Sequence, residues 1–192
     1  CLWKALAKVL GRKRSATGRK LHVNDSKVVY APEEGMKELE RSVLAFTLAN
    51  GGAVGEELES FLSHVCPDVV DKCRDYVWYA KPQSEKFPIA QELLSIKLLA
   101  NSVRVEMERV GTRLACMSAR VLLERDYNRM VLATRNKATA LFSIASIHLD
   151  HLVRTYASEG VVIFCDRQGG REHYGHLLRS LFEDWQFEVT LE

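Results

Sequence analysis

A short apolar run near the end of the chain, Val161 to Cys165, constrains the fold most, and it leads directly into Asp166. The run is too short for a helix and rich in β-branched residues, so it predicts a strand buried on both faces. Asp166 would then lie at the carboxyl end of that strand, where open α/β sheets bind their ligands. The alternative is that Asp166 caps the following helix, and the local sequence leaves both interpretations open.

A segment rich in glycine and arginine follows Asp166. Gly169 and Gly170 allow the main chain to turn sharply and to approach a ligand closely. Arg167 and Arg171 carry planar guanidinium groups that suit phosphate. Together these residues favour a metal-bound phosphate group, and an ordinary glycine turn is the alternative.

In the second half of the chain, segments with the apolar pattern of strands alternate with segments in which apolar residues recur at helical spacing. Apolar residues predict strands over 113–124 and 185–192, and helical spacing predicts helices over 138–157 and after Tyr174. Strand, helix, strand, helix and strand in this order form right-handed crossovers on a parallel sheet. Lys137, at the start of the first of these helices, is unfavourable beside the positive end of the helix dipole, which weakly indicates an anion there.

The middle of the chain, residues 55–111, has a helical pattern instead. We therefore predict a single α/β domain over residues 1–192, a mixed sheet flanked by helices, with a helical insertion at 55–111. The aromatic cluster at Val77–Tyr79 could stack nucleic-acid bases, although aromatic residues at a helix end more often belong to a core.

Charge is unevenly distributed, although the formal net charge of the whole chain is only +2. Cationic residues crowd the first thirty positions, and six of them predict either a phosphate-facing patch or a solvated basic loop: Arg12, Lys13, Arg14, Arg19, Lys20 and Lys27. The five cysteines form an odd set without metal-ligand spacing, so we interpret them as reduced core residues of a cytoplasmic protein. No apolar run reaches the length needed to span a membrane.

Three segments in order resemble the type 2 ribonuclease H family, in a bacterial branch: Asn24-Asp25-Ser26-Lys27, then Asn128 through Asn136-Lys137, then Asp166-Arg-Gln-Gly-Gly-Arg. Leu39 to Phe46 adds a "leu-glu-arg…val-leu-ala-phe" helix that is similar to the one that follows the Asp-Ser-Lys turn in that branch. The resemblance implies a ribonuclease H-like mixed sheet flanked by helices. It also implies cleavage of RNA paired with DNA, with two Mg²⁺ or Mn²⁺ ions held by acidic residues.

The resemblance implies a role for each matching position. Asp166 corresponds to a catalytic, metal-binding aspartate on the fourth strand of the family, and Lys27 to a segment beside the nucleic-acid backbone. The remaining candidates for nucleic-acid binding are Asp25, Ser26, Asn136, Lys137, Arg167, Gly169, Gly170 and Arg171.

Two parts of the family pattern are missing from this chain. The Asp-Glu-Ala-Gly strand, which supplies two metal ligands, and the last acid with its helix do not occur in the sequence. We therefore expect a fragment truncated at both ends: the central part of a metal-dependent endoribonuclease, with little activity of its own. The alternatives are a non-catalytic nucleic-acid-binding module and an α/β domain that binds a small phosphate ligand.

Overall fold

Helices make up most of this protein. The computed structural model describes residues 1–55, 57–79, 86–167, 173–186 and 188–190. The chain divides into two units, Cys1–Val121 and Leu122–Glu192. The predicted single domain with an insertion at 55–111 stays a prediction, whereas helices do occur across the described part of that segment.

The first unit contains six helices and two short strands in its described residues. In chain order these are α1 (Leu2–Ala5), β1 (Leu10–Gly11), β2 (Leu21–His22), α2 (Ser26–Val29), α3 (Lys37–Ala49), α4 (Leu58–Val65), α5 (Pro67–Cys73) and α6 (Leu93–Arg109). The strands pair in parallel, with Leu10 opposite Leu21 and Gly11 opposite His22. Main-chain bonds from Leu21 to Val9 (2.8 Å) and from Val23 to Gly11 (3.0 Å) form this ladder.

Helices α3 and α6 pack against each other and provide much of the core of this unit. On α6 the buried side chains recur at helical spacing, at Ile96, Ala100, Val103 and Met107. On α3, Leu44 and Ala45 are buried in the same cluster as Leu21 of β2. The core therefore supports the strands directly, and with them the segment of chain that connects β1 to β2.

The second unit is helical in its described residues. It contains α7 (Glu124–Thr134), α8 (Lys137–Tyr156), a 3-10 turn (Ala157–Glu159) and α9 (Gly175–Leu181). Its buried apolar side chains are Leu123, Ala140, Phe142, Val153 and Phe182. The predicted helices over 138–157 and after Tyr174 are confirmed.

The predicted mixed sheet flanked by helices is wrong. The described residues form a sheet of two strands, and both strands precede residue 23. Val161–Cys165 is not a strand, and Val162 and Phe164 are 80% and 88% exposed. The described residues of 113–124 and 185–192 are not strands either.

The strand prediction failed for a physical reason. An apolar, β-branched run becomes a strand only where a neighbouring segment satisfies its main-chain hydrogen bonds. None of the described residues pairs with Val161–Cys165. The cysteine prediction fails in part as well, since Cys66 and Cys73 are buried whereas Cys1, Cys116 and Cys165 are exposed.

Candidate nucleic-acid interface

The candidate residues predicted from the sequence fall in different parts of the structure. Asp25, Ser26 and Lys27 belong to the first unit, whereas Asn136, Lys137, Asp166 and Arg167 belong to the second. Gly169, Gly170 and Arg171 lie outside the described residues.

Asp25 caps a helix. Its carboxylate Oδ1 accepts a hydrogen bond from the main-chain N–H of Lys27 (2.8 Å) at the start of α2. Ser26 and Lys27 form the first turn of that helix, and both are exposed. A capping carboxylate satisfies a main-chain donor that the helix leaves unpaired, so the contact accounts for Asp25 structurally.

Asn136 caps α8 in the same way. Its Oδ1 accepts a hydrogen bond from the main-chain N–H of Thr139 (3.0 Å). Lys137 is the first residue of α8 and is exposed, so its predicted position at a helix N-terminus is confirmed. The residue before the cap, Arg135, has a left-handed conformation with φ 50°.

Asp166 is exposed and lies in a stretch without regular secondary structure. Its Oδ1 accepts a hydrogen bond from the main-chain N–H of the next residue, Arg167 (2.9 Å). Helix α9 begins later, at Gly175. Among the described residues, His, Cys, Asp and Glu form no group of three or more that could hold a metal ion. The roles of Asp166 and of Mg²⁺ or Mn²⁺ therefore stay predictions.

The most concentrated positive charge lies in the first unit. Residues 1–30 contain eight Lys and Arg side chains and one carboxylate, that of Asp25. Five of the cations lie in the connection between β1 and β2, residues 12–20, which we call the basic loop. All five are exposed: Arg12, Lys13, Arg14, Arg19 and Lys20.

The main chain of the basic loop is held at both ends. The carbonyl oxygen of Arg12 accepts a hydrogen bond from Nδ2 of Asn24 (3.1 Å) and lies 3.1 Å from Nε2 of His22. Near the other end, the guanidinium of Arg41 donates to the carbonyl oxygen of Gly18. The N–H of Gly18 closes a turn onto Ser15 (3.0 Å). The loop is therefore anchored to β2 and α3.

The loop also lies against the N-terminal segment. The guanidinium of Arg12 stacks over the indole ring of Trp3 at 5.5 Å from its centre, and Nζ of Lys20 donates to the carbonyl oxygen of Ala7 (2.6 Å). These contacts bring the loop beside the segment that carries Lys4 and Lys8, both exposed. A cation over an indole face is held by the ring quadrupole, which fixes Arg12 without neutralising its charge.

The five loop cations are not equivalent. Arg14 pairs with Glu34 and lies near Glu38, with Nε 3.7 Å from a carboxylate oxygen. Arg12, Lys13 and Arg19 are exposed on a loop whose main chain is held by hydrogen bonds. They form the part of the loop that offers positive charge to a partner.

Sequence reasoning identified these cations but missed the residues that hold them in place. The contacts of Trp3, Glu34, Glu38 and Arg41 with the loop were not predicted, because they connect positions that are distant in the sequence. The separation is 20 residues for Arg14 and Glu34 and 23 for Gly18 and Arg41. Local sequence patterns do not predict contacts between residues so far apart in the chain.

No protein-family model, curated protein or solved structure matches this chain. Among the described residues, no helix is both long and apolar enough to cross a membrane.

Proposed function

We propose that this chain binds nucleic acid through the basic loop and the lysines beside it, without reading base sequence. The observation that carries the proposal is the exposed cluster of cations in residues 1–30, where eight basic side chains accompany one carboxylate. DNA presents a phosphate charge about every 1.7 Å of duplex length, so a compact group of cations can contact several phosphates at once.

Charge distribution favours a polyanion as the partner. The formal charge of the whole chain is +2, so the positive charge of residues 1–30 is offset by acidic residues elsewhere. A protein of this kind attracts anions with one face instead of with its entire surface. The side chains of Arg12 and Arg19 add planar groups that suit phosphate oxygens.

Burial favours nucleic acid over an anionic membrane. Amphipathic segments that bind membranes insert apolar side chains between the lipids. In the segment before the basic loop, Leu6, Val9 and Leu10 are buried in the protein core, and Leu2 is exposed. The segment therefore offers charge with little apolar surface for insertion.

Cleavage of the RNA strand of an RNA–DNA hybrid stays a prediction. It depends on Asp166 and on a divalent ion, and the contacts of the described residues add no argument for it. A labelled hybrid incubated with Mg²⁺ or Mn²⁺ tests it directly, and loss of cleavage in Asp166→Asn would support it.

The binding proposal is tested by fluorescence anisotropy with an RNA–DNA hybrid, duplex DNA and single-stranded RNA over a series of salt concentrations. Binding should weaken steeply with salt for every probe. The double variant Lys13→Gln/Arg19→Gln should bind more weakly, by up to about ten-fold. For duplex DNA the slope of log K against log salt should flatten by about 1.8.

The matched control is Lys97→Gln/Arg113→Gln, which removes two exposed cations of the first unit outside residues 1–30. It should leave affinity nearly unchanged. Equal losses in both double variants, or no binding by the unmodified protein at low salt, would overturn the proposal. Stronger binding to anionic lipid vesicles than to any oligonucleotide would also overturn it, in favour of a membrane surface.

A further inference from the structure

We infer that Glu38 is a positioning residue for nucleic-acid binding: its buried carboxylate holds the basic loop in its binding conformation through Arg14 and Arg41. The inference rests on the proposed function. It assigns a supporting role to a carboxylate whose own charge opposes a phosphate backbone.

Glu38 lies beneath the loop, at the start of α3, and its side chain is 7% exposed. A carboxylate beside a surface that binds phosphates repels the ligand. A buried charge is also costly unless it is paired. A residue with both disadvantages requires a compensating contact, and the structure provides two.

The first contact is with Arg41, whose Nη1 lies 3.4 and 3.3 Å from the two carboxylate oxygens of Glu38. The same guanidinium donates through Nη2 to the carbonyl oxygen of Gly18 in the loop. Glu38 thus fixes Arg41, and Arg41 fixes the loop main chain. Arg41 is itself buried, so its charge serves this contact and not a partner.

The second contact is with Arg14, whose Nε lies 3.7 Å from Oε1 of Glu38. Arg14 also pairs with Glu34, which precedes α3. Glu38 therefore acts on the loop at two places, at Arg14 and, through Arg41, at Gly18. Between these places the main chain is closed by the turn from Gly18 to Ser15.

An ordered loop binds more tightly than a mobile one, because the entropy of fixing its cations has already been lost in the free protein. Release of the loop should therefore weaken binding even when the change makes the protein more positive. On charge alone, loss of a carboxylate should tighten binding. The direction of the change in affinity therefore distinguishes a positioning role of Glu38 from the effect of its charge.

The test compares Glu38→Gln with Glu33→Gln. Each change removes one negative charge at the start of the α3 region, but Glu33 is exposed and makes none of the contacts described for Glu38. We expect Glu38→Gln to weaken binding to duplex DNA about three-fold or more and to flatten the salt slope, since fewer phosphates are contacted at once. Glu33→Gln should bind equally well or slightly more tightly.

A second readout does not need nucleic acid. Trypsin cleaves after Arg and Lys, and a protease requires several residues of mobile main chain around the cleaved bond. We expect cleavage within residues 12–20, identified by mass spectrometry, to be several-fold faster in Glu38→Gln than in Glu33→Gln. Glu34→Gln, in which only Arg14 loses a partner, should give an intermediate rate. Because Glu34 is partly exposed, this variant decides the matter if Glu38→Gln fails to fold.

The outcomes separate the two proposals. If the unmodified protein binds no nucleic acid, the proposed function fails, and the trypsin rates still decide whether Glu38 orders the loop. If binding occurs but Glu38→Gln or Glu34→Gln tightens it as much as Glu33→Gln does, with unchanged trypsin rates, the positioning role is refuted and the proposed function stands.

Discussion

Replacement of Arg41 by Met tests the buried ion pair at the base of the basic loop. Met retains most of the apolar stem of Arg but removes the guanidinium. The change leaves Glu38 buried and without the partner that lies at 3.3 Å. It also removes the donor to the carbonyl oxygen of Gly18.

The expected cost follows from the burial of both partners, whose side chains are 9% and 7% exposed. Removal of one partner from a buried pair costs about 3–5 kcal/mol, because the other charge stays buried and uncompensated. Arg14 lies 3.7 Å from Glu38 and compensates it in part. We therefore expect the lower end of that range, about 3 kcal/mol.

The double variant Glu38→Gln/Arg41→Met provides a second stability prediction for the same ion pair. It removes the remaining charge together with its partner, so it should be more stable than Arg41→Met alone by about 1–2 kcal/mol. The double variant would then be more stable than Arg41→Met although it has fewer native contacts. Stability estimated from the number of contacts predicts the opposite order.

Urea unfolding followed by tryptophan fluorescence measures these differences. Trp3 and Trp78 lie in the first unit and Trp185 in the second, so a Trp185→Phe background restricts the signal to the first unit. A cost below about 1 kcal/mol for Arg41→Met would refute the reasoning. So would a double variant less stable than the single one.

Three further predictions concern stability and reactivity. Gly52→Ala should destabilise the first unit by about 1–3 kcal/mol in urea unfolding, since its Cβ would lie 2.8 Å from the buried Thr47 Cγ2. Gly51→Ala, where φ is +79° and space is open, should cost only about 1 kcal/mol from backbone strain. Hydrogen bonding to a neighbouring guanidinium lowers the pKa of Glu106, so its stabilising effect is present at neutral pH and lost as pH falls through that lowered value. The stability difference between unmodified protein and Glu106→Gln should therefore shrink from about pH 7 to about pH 3, and a constant difference would contradict this. Burial raises the pKa of the Cys73 thiol, so iodoacetamide should alkylate it only after urea is added, whereas rapid labelling of native protein would contradict its burial.

Helices could be predicted from the sequence because their signal is local. Ile96, Ala100, Val103 and Met107 recur at helical spacing, and all four are buried on one face of α6. The period itself determines which face enters the core. The helix predicted over 138–157 spans Lys137–Tyr156 in the structure.

Strands could not be predicted in this way, since a strand is stabilised by a partner that its own sequence does not specify. Val161–Cys165 has the composition of a buried strand and is mostly exposed. Leu10–Gly11 and Leu21–His22 carry no such composition, yet they pair. Strands predicted from composition of this kind, together with the resemblance to the ribonuclease H family, led to the predicted mixed sheet, which is wrong.

The candidate site could be predicted only in part. The cluster of cations is visible in the sequence, and these side chains are exposed in the structure. Which cations are already engaged depends on distant partners: Arg14 pairs with an acid 20 positions away. Capping by Asp25 and Asn136 is the local chemistry expected of these residue types before a helix, and their predicted roles in nucleic-acid binding stay predictions.

Nucleic-acid binding through the basic loop is tested most directly by the salt dependence of duplex DNA binding by the unmodified protein. The exposed loop cations Arg12, Lys13 and Arg19 alone predict a slope of log K against log salt of about −2.7, and Lys4 and Lys8 would make it steeper. We expect a slope at least that steep, which flattens when Lys13 and Arg19 are replaced by Gln. A slope near zero, or the same slope in the variant, would contradict it.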